Sequence, residues 1–241
     1  MPKKTTIEWT EMTWNPVTGC SKVSPGCKHC YAETMANRLV AMGSPRYRAG
    51  FKVTLQEDLI DLPRRWRAPR TIFVNSMSDL FHDEIPTEYI ARVFRTMVDC
   101  SQHTFQVLTK RAERLLQIAP QLDWAPNVWM GVSVENQKYA SRVAYLQQVP
   151  ASVRFLSIEP MLGPIDELPL AGIHWVIVGG ESGRGARPLE RDWVMSVFRQ
   201  CRAARVPFFF KQWGGVRKHV TGRKIFGRTY NEMPQQGVGI A

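Results

Sequence analysis

Short runs of β-branched and aromatic residues alternate along the chain with longer segments in which apolar residues recur at helical spacing. Continuous apolar runs of this kind are typical of strands buried on both faces of a parallel sheet. The helical spacing is clearest over residues 88–101, 136–148 and 192–204. The predicted strands are residues 13–18, 51–55, 71–75, 105–109, 128–134, 154–158, 175–179 and 208–211. This alternation predicts an α/β fold with helices packed on a parallel sheet.

The number of predicted strands approaches the number that closes a (βα) barrel. A chain of 241 residues lies near the lower end of the range for a complete barrel. We therefore predict a complete or partial (βα) barrel, like a TIM barrel, with about six to eight parallel strands. A doubly wound open sheet is the alternative. Because apolar residues are spread evenly and no linker interrupts them, residues 1–241 are predicted to form a single domain.

Polar groups follow the predicted strands from the third onward, where a simple connector would need only turn residues. These groups are residues 75–82, 109–111, 133–136, 159–160, 179–184 and 211–213. In a parallel barrel the carboxyl ends of all strands face the same way, so these side chains converge at one mouth. The alternative is that the acidic residues cap helices or form buried ion pairs with nearby Lys and Arg side chains. We predict a functional site at this mouth.

The segment Gly179-Gly180-Glu181 follows the seventh predicted strand. Glycines allow a backbone to come close to a ligand, and they adopt positive φ readily. Glu181 is suited to accept hydrogen bonds from a ligand ammonium group. The segment therefore predicts a binding loop, although its spacing is not that of a dinucleotide-binding fingerprint.

Three of the five cysteines, Cys20, Cys27 and Cys30, form a C-x6-C-x2-C array on a loop that runs into a helix. Three thiolates hold three irons of a four-iron cluster and leave one iron open to bind a substrate or cofactor. We interpret the array as the metal site and reactive centre. The alternative is a zinc site in which His29 supplies the fourth ligand. The other two cysteines lie singly in apolar helical patterns and are predicted to be core residues.

The formal net charge of +11 predicts an anionic partner, because a strongly positive surface attracts nucleic acid or phosphorylated molecules. Basic residues interleaved with aromatic ones meet phosphates and stack on bases, whereas the alternative is a solvated loop surface. The basic clusters are Arg64, Arg65, Arg67 and Arg70 around Trp66, and Arg217, Lys218, Arg223, Lys224 and Arg228 near the C-terminus. No apolar run is long enough to span a membrane, and clustered thiols indicate a reducing compartment, so a cytoplasmic location is predicted.

The cysteine array after the first predicted strand resembles the site of the radical S-adenosylmethionine enzymes, whose common motif is C-x3-C-x2-C. This chain keeps the last C-x2-C and widens the first gap, and Tyr31-Ala32-Glu33 is similar to the residues that follow the motif in those enzymes. Residues 7–10, 14–20, 74–81 and 179–183 look like segments of a widespread phage and prophage family of three-cysteine proteins. Through its likeness to radical S-adenosylmethionine enzymes, this family implies an iron–sulfur cluster.

The resemblance implies that Cys20, Cys27 and Cys30 hold a [4Fe-4S] cluster whose open iron is chelated by S-adenosylmethionine. An electron donor protein would then drive cleavage of the cofactor to an adenosyl radical, which abstracts hydrogen from a substrate such as a nucleic acid or nucleotide. The alternative is a non-catalytic zinc or iron–sulfur protein that binds nucleic acid or a protein partner. The candidate cofactor-binding residues are Asn75, Ser76, Ser78, Ser133, Glu135, Glu159, Gly179, Gly180 and Glu181.

Overall fold

The computed structural model describes residues 5–234, so the ends of the predicted single domain, residues 1–4 and 235–241, lie outside the described residues. The strands are β1 (Met12–Trp14), β2 (Val17–Thr18), β3 (Thr54–Leu55), β4 (Thr71–Val74), β5 (Thr104–Thr109), β6 (Val128–Ser133), β7 (Val153–Ile158), β8 (Trp175–Gly179) and β9 (Phe208–Gln212). The helices are α1 (Tyr31–Ala41), α2 (Thr87–Asp99), α3 (Ala112–Ile118), α4 (Arg142–Gln147), α5 (Arg191–Ala203) and α6 (Lys218–Thr221).

Seven of these strands form one parallel sheet in the order β1-β4-β5-β6-β7-β8-β9. Each strand pairs with the next one along the chain, so the order never reverses as it does in a doubly wound sheet. The sheet curls in one direction into a half-barrel. The predicted partial (βα) barrel is therefore confirmed, and the doubly wound alternative is wrong.

Two predictions about strands near the N-terminus are wrong. Residues 13–18 do not form one strand, because Pro16 has no N–H to continue the ladder and the chain leaves the sheet after Trp14. Residues 51–55 do not form a parallel strand of the barrel. Instead, β3 pairs antiparallel with β2 in a separate two-stranded sheet, with Val17 opposite Leu55.

The predicted helices are present with shifted or shortened bounds. The segment 136–148 is helical in two parts, because a 3₁₀ turn over Gln137–Ser141 precedes α4. The side chain of Asn136 starts this segment by accepting a hydrogen bond from the Lys138 N–H at 3.1 Å. These helices cover the outer face of the sheet and bury its main apolar core.

A second, smaller core fills the concave face of the half-barrel. Side chains alternate between the two faces of a strand, so every second residue of β6 to β9 points inward. The inward residues at the amino ends of these strands are large and aromatic, and they pack with Trp9: Trp129, Phe155, Trp175, Ile177 and Phe209. Further along the same strands the inward residues become small or polar, as at Ser133, Ser157 and Lys211. The interior therefore has an aromatic floor with a polar space above it.

Candidate functional site

The carboxyl ends of the strands and the cysteine-bearing loop enclose a cavity of about 390 Å³. All three cysteines of the predicted metal site line this cavity. Most of the predicted cofactor-binding residues line it as well: Asn75, Ser76, Ser78, Ser133, Glu159, Gly180 and Glu181. Glu135 and Gly179 do not belong to the cavity lining. The fold thus gathers the cysteine array and most of the polar strand ends around one space.

The cysteine loop, residues 19–30, is fixed to the sheet at its first residue. The Gly19 N–H donates to the Met77 carbonyl at 3.0 Å, and Gly19 has a φ of +84°. A Cβ at this position would lie 2.0 Å from the Lys52 carbonyl oxygen, so only glycine fits. At its other end, Cys30 occupies the N-cap position of α1. The loop is therefore anchored between the sheet and the first helix.

The cysteine loop offers three thiol donors to a metal site. The three thiols are free and partly exposed. Within residues 5–234, no group of three or more Cys, His, Asp or Glu side chains converges so as to hold one metal ion. A zinc site binds its ligands around one ion, with Zn–S bonds of about 2.3 Å, whereas a four-iron cluster takes each thiolate on a different iron. His29, the candidate fourth zinc ligand, instead hydrogen-bonds to Glu181 through Nδ1 at 3.0 Å.

Arg111 reaches from the end of β5 to the first cysteine. Its Nη1 lies 3.6 Å from Cys20 Sγ, and its Nη2 donates to Ser21 Oγ at 3.0 Å. Burial raises the pKa of the Cys20 thiol to about 11, with a further contribution from Asp79, while Arg111 opposes the shift. Arg111 therefore provides the positive charge that favours a thiolate at this position.

Asp79 holds that arginine in place. Its Oδ2 accepts hydrogen bonds from Arg111 Nη1 at 3.3 Å and from the Lys110 N–H at 3.0 Å. Its Oδ1 accepts from Thr109 Oγ1 at 2.7 Å and from the Phe81 N–H at 3.0 Å. The contacts with Thr109, Lys110 and Arg111 join Asp79 to the end of β5, so the carboxylate orients the guanidinium that faces the cysteine loop.

Glu135 supports the cysteine loop from behind. Its side chain is fully buried and accepts a hydrogen bond from Ser24 Oγ at 2.5 Å and another from Arg142 Nη1 at 2.8 Å. A Cβ at Gly26 would lie 2.6 Å from Glu135 Oε1, so the loop passes directly over the carboxylate. Glu135 is therefore placed to position the loop rather than to contact a molecule in the cavity.

Glu181 ties the end of β8 to the same loop. Its carboxylate accepts hydrogen bonds from Arg187 Nε at 2.9 Å and from the Arg187 N–H at 3.0 Å, in addition to its contact with His29. Arg187 also donates to the Pro25 carbonyl at 3.0 Å. Burial by itself raises the pKa of Glu181, but the Arg187 and His29 hydrogen bonds outweigh it and lower the pKa to about 2. The predicted acceptor for a ligand ammonium is thus already paired within the protein.

The Glu181 contacts predict a specific pH dependence of stability. Because the pKa falls from its usual 4.5 to about 2 on folding, the ionised carboxylate stabilises the fold above pH 4.5, and this contribution is lost as the pH falls toward 2. We expect Glu181→Gln to be less stable than wild type at pH 7 and the difference to shrink below about pH 4.5. Urea unfolding of both proteins from about pH 7 to 3 measures it. A difference that stays constant over this range would contradict the prediction.

Glu159 and Lys211 form an ion pair inside the cavity. Lys211 Nζ lies 2.6 Å from Glu159 Oε1, and both side chains are largely buried. Lys211 projects from β9 and Glu159 follows β7, so the pair spans the carboxyl end of β8. It places one donor and one acceptor on the cavity wall, ready to meet polar groups of a bound molecule.

The predicted residues after β4 contact mainly the chain around β2. Ser78 Oγ donates to the Val17 carbonyl at 2.9 Å, and Ser76 Oγ donates to Asn15 Oδ1 at 3.2 Å. Asn75 has a φ of +59°, and its Oδ1 accepts from the Val17 N–H at 3.3 Å. Its Nδ2 is buried and has no hydrogen-bond partner among residues 5–234. Asn75 therefore carries an unused donor beside the cavity.

Neither Gly179 nor Gly180 uses the positive φ that glycine allows. Glycine is nevertheless required at position 180, because a Cβ there would lie 2.1 Å from the Trp213 carbonyl oxygen. The backbone at Gly180 thus lies in close contact with the chain's own backbone after β9. Gly180 also lines the cavity, whereas Gly179 belongs to the end of β8.

The ion pairs Asp79–Arg111 and Glu159–Lys211 confirm the alternative that acidic residues after the strands form buried ion pairs with nearby Lys and Arg side chains. Sequence reasoning missed Arg187, which lies in a loop without a motif, and gave no separate role to Trp213. A charged residue directly after a buried parallel strand is the feature of the sequence that points to such a site residue. Its partner on another strand is not readable from the chain, because pairing depends on where the strands come together.

No helix within residues 5–234 is long and apolar enough to cross a membrane. A search of the curated proteins finds no match. Among solved structures, the chain is similar to "Spore photoproduct lyase complexed with dinucleoside spore photoproduct", with 11% sequence identity and a TM-score of 0.44. That similarity covers 77% of this chain and 59% of the other, so the chain spans less than two thirds of that structure. Residues 4–234 match a family model described as a protein of unknown function (DUF5131), and the chain therefore belongs to this family.

Proposed function

We propose that the protein is a radical S-adenosylmethionine enzyme that acts on a nucleic acid or a nucleotide. The observation that carries the proposal is that three free thiols and the polar ends of parallel strands line the same cavity. Cys20, Cys27 and Cys30 would hold three irons of a [4Fe-4S] cluster and leave the fourth for the cofactor. When bound, the cluster supplies the electron that cleaves adenosylmethionine and starts radical chemistry on the substrate.

Arg111 acts on the cysteine side of the site. It donates a hydrogen bond toward Cys20 Sγ and carries a buried positive charge beside it. Hydrogen bonds to ligating sulfurs and local charge help to set the reduction potential of a cluster. The guanidinium thus favours the ionised thiol that a metal requires, and Asp79 keeps it in position.

Other residues of the cavity lining offer groups suited to a polar cofactor. The unpartnered Asn75 Nδ2 is suited to donate to a carboxylate oxygen. The hydroxyls of Ser133 and Ser157 both line the cavity and are suited to hydroxyl groups of a ribose. Glu159 and Lys211 supply one charge of each sign for a zwitterionic ligand.

The floor of the cavity is apolar. Trp9, Phe73 and Leu108 line it, and the rings of Trp9 and Phe73 are in edge contact with centroids 4.7 Å apart. Such a floor excludes water from below, which protects a reactive species, and it offers flat apolar surface to a base. The net charge of +11 favours a phosphate-bearing substrate and an acidic electron donor protein. The phage setting implied by the sequence resemblance is consistent with modification or repair of DNA.

The test is to purify the protein without oxygen and measure iron, sulfide and zinc per chain, together with the electron paramagnetic resonance spectrum of the reduced sample. We expect a cluster signal that changes when adenosylmethionine is added, and cleavage of adenosylmethionine under reducing conditions. Stoichiometric zinc without iron would instead support a metal-stabilised binding protein. An iron–sulfur signal that does not change when adenosylmethionine is added would support an electron-transfer or sensing role.

A further inference from the structure

An exposed aromatic residue occupies the tip of a tight hairpin near the C-terminus. Ile225 and Arg228 exchange both backbone hydrogen bonds, at 2.9 and 3.0 Å, so Phe226 and Gly227 form a two-residue turn. Both have positive φ, +49° and +75°, as a type I′ turn requires. Asn, Asp or Gly normally takes the first of these positions, and a bulky side chain there is an outlier. Phe226 therefore occupies a turn position that disfavours a bulky side chain.

Core packing does not account for this residue. The Phe226 side chain is 63% exposed, whereas the neighbouring Ile225 is buried and anchors the hairpin. One face of the Phe226 ring is covered by Arg191, whose guanidinium carbon lies 4.3 Å from the ring centroid. The remaining exposure of the residue is to solvent. Strained residues of this kind cluster where a protein contacts a partner.

The hairpin lies at the same end of the sheet as the cavity. Asn231 pairs antiparallel with Phe209, and the Phe210 N–H donates to the Tyr230 carbonyl, so the chain after the hairpin runs back along β9. This register carries the turn beyond Gln212, the last residue of β9, which lines the cavity. The Trp213 indole N–H donates to the Lys224 carbonyl at 2.9 Å and holds the hairpin there.

The surroundings of the ring are strongly basic. Lys224 and Arg228 flank the turn and are exposed, and Arg217 is exposed at the start of the same segment. In the part of the chain that the structure describes, none of these side chains forms a salt bridge with a carboxylate, and the Lys218 side chain lies outside that part. Uncompensated positive charge beside an open aromatic face is complementary to a base and its phosphates.

We propose that the 225–228 hairpin binds single-stranded nucleic acid by stacking Phe226 on an unpaired base while Lys224 and Arg228 contact the adjacent phosphates. Insertion between two base pairs of a duplex would need both faces of the ring, and Arg191 covers one of them. The hairpin thereby holds a strand beside the mouth of the half-barrel. The inference rests on the proposed function only in taking this strand to be the substrate, because the binding itself needs no cofactor.

The test compares fluorescence anisotropy of labelled single-stranded and blunt duplex DNA and RNA oligonucleotides with wild type and Phe226→Asn. Asparagine suits the turn better than phenylalanine, so this variant keeps the hairpin folded while it removes the ring. We expect it to weaken single-strand binding by about 5- to 150-fold. Phe226→Tyr should retain most of the affinity. Met42→Asn, which removes an even more exposed apolar side chain at the end of α1, should change nothing.

The charged residues give a second readout. Lys224→Gln and Arg228→Gln should each reduce the slope of log affinity against log salt by about 0.7. The proposal would be overturned if Phe226→Asn bound single strands with wild-type affinity. It would also be overturned if the variant lost affinity for duplex only, because that result would indicate insertion between base pairs. If the strand binds through Phe226 but adenosylmethionine is not cleaved, the proposed function fails and the binding site stands. If adenosylmethionine is cleaved but strand binding does not depend on Phe226, the proposed function stands and the proposed binding site fails.

Discussion

Replacing Cys27 with alanine is expected to abolish both iron binding and cleavage of adenosylmethionine. Three thiolates are the fewest that can hold a four-iron cluster with one open iron, so removing one leaves the cluster insufficiently ligated. Cys27 lies in a partly exposed 3₁₀ turn, so its truncation leaves no cavity in the core. Iron and sulfide content, the visible absorbance of the cluster and cofactor cleavage measure the effect.

Cys100→Ala is the matched control for this variant. Cys100 is also a free cysteine, but it is buried in the outer core at the end of α2. Its loss should lower stability slightly and leave the iron content per chain unchanged. Full iron content in Cys27→Ala, or an equal loss of iron in Cys100→Ala, would disprove the proposal that the cysteine loop is the cluster site.

Replacing Glu135 with alanine is expected to lower the free energy of unfolding by about 3–5 kcal/mol. Its carboxylate is fully buried and pairs with Arg142, whose side chain is also largely buried. Breaking a buried ion pair leaves one charge without its partner in a poorly solvated place, and this cost dominates. The same substitution frees Ser24, so the cysteine loop should also hold its cluster less firmly. Urea unfolding and iron retention measure the two effects separately.

Asp58→Ala is the matched control for the buried pair. Asp58 pairs with Arg46 at the surface, where both side chains are well exposed to solvent. Exposed pairs contribute little because water and salt screen them. We therefore expect the control to unfold at almost the same urea concentration as wild type. If Glu135→Ala were equally mild, Arg142 would have found other partners, and the support of the loop by Glu135 would be disproved.

Most of the sheet was predictable from local pattern. The strands β4 to β9 are mostly apolar runs, and a run that must be buried on both faces has few alternatives to a central parallel strand. The exceptions are the short strands near the N-terminus. A two-residue strand such as β3 carries too little pattern to reveal its partner, and its pairing with β2 depends on where the loop after α1 returns to the sheet.

The candidate site shows the same division between local and long-range information. The cysteine array was recognisable because metal ligation requires particular residue types at close spacing. The polar strand ends were recognisable as a group, since parallel strands end on one side of a sheet. Glu135 belonged to that group, yet it faces the back of the cysteine loop, and only the position of Ser24 and Arg142 reveals this role.

By itself, the sequence determined the fold class and the end of the barrel at which the three cysteines lie, because hydrophobic period and the alternation of strands and helices are local properties. The tertiary structure alone decided that the sheet has seven strands within residues 5–234, that Arg111 meets Cys20, and that Phe226 is exposed at the tip of a hairpin held by Trp213. These features join residues far apart in the chain. Such contacts depend on how strands and loops pack in three dimensions, and no local pattern carries that information.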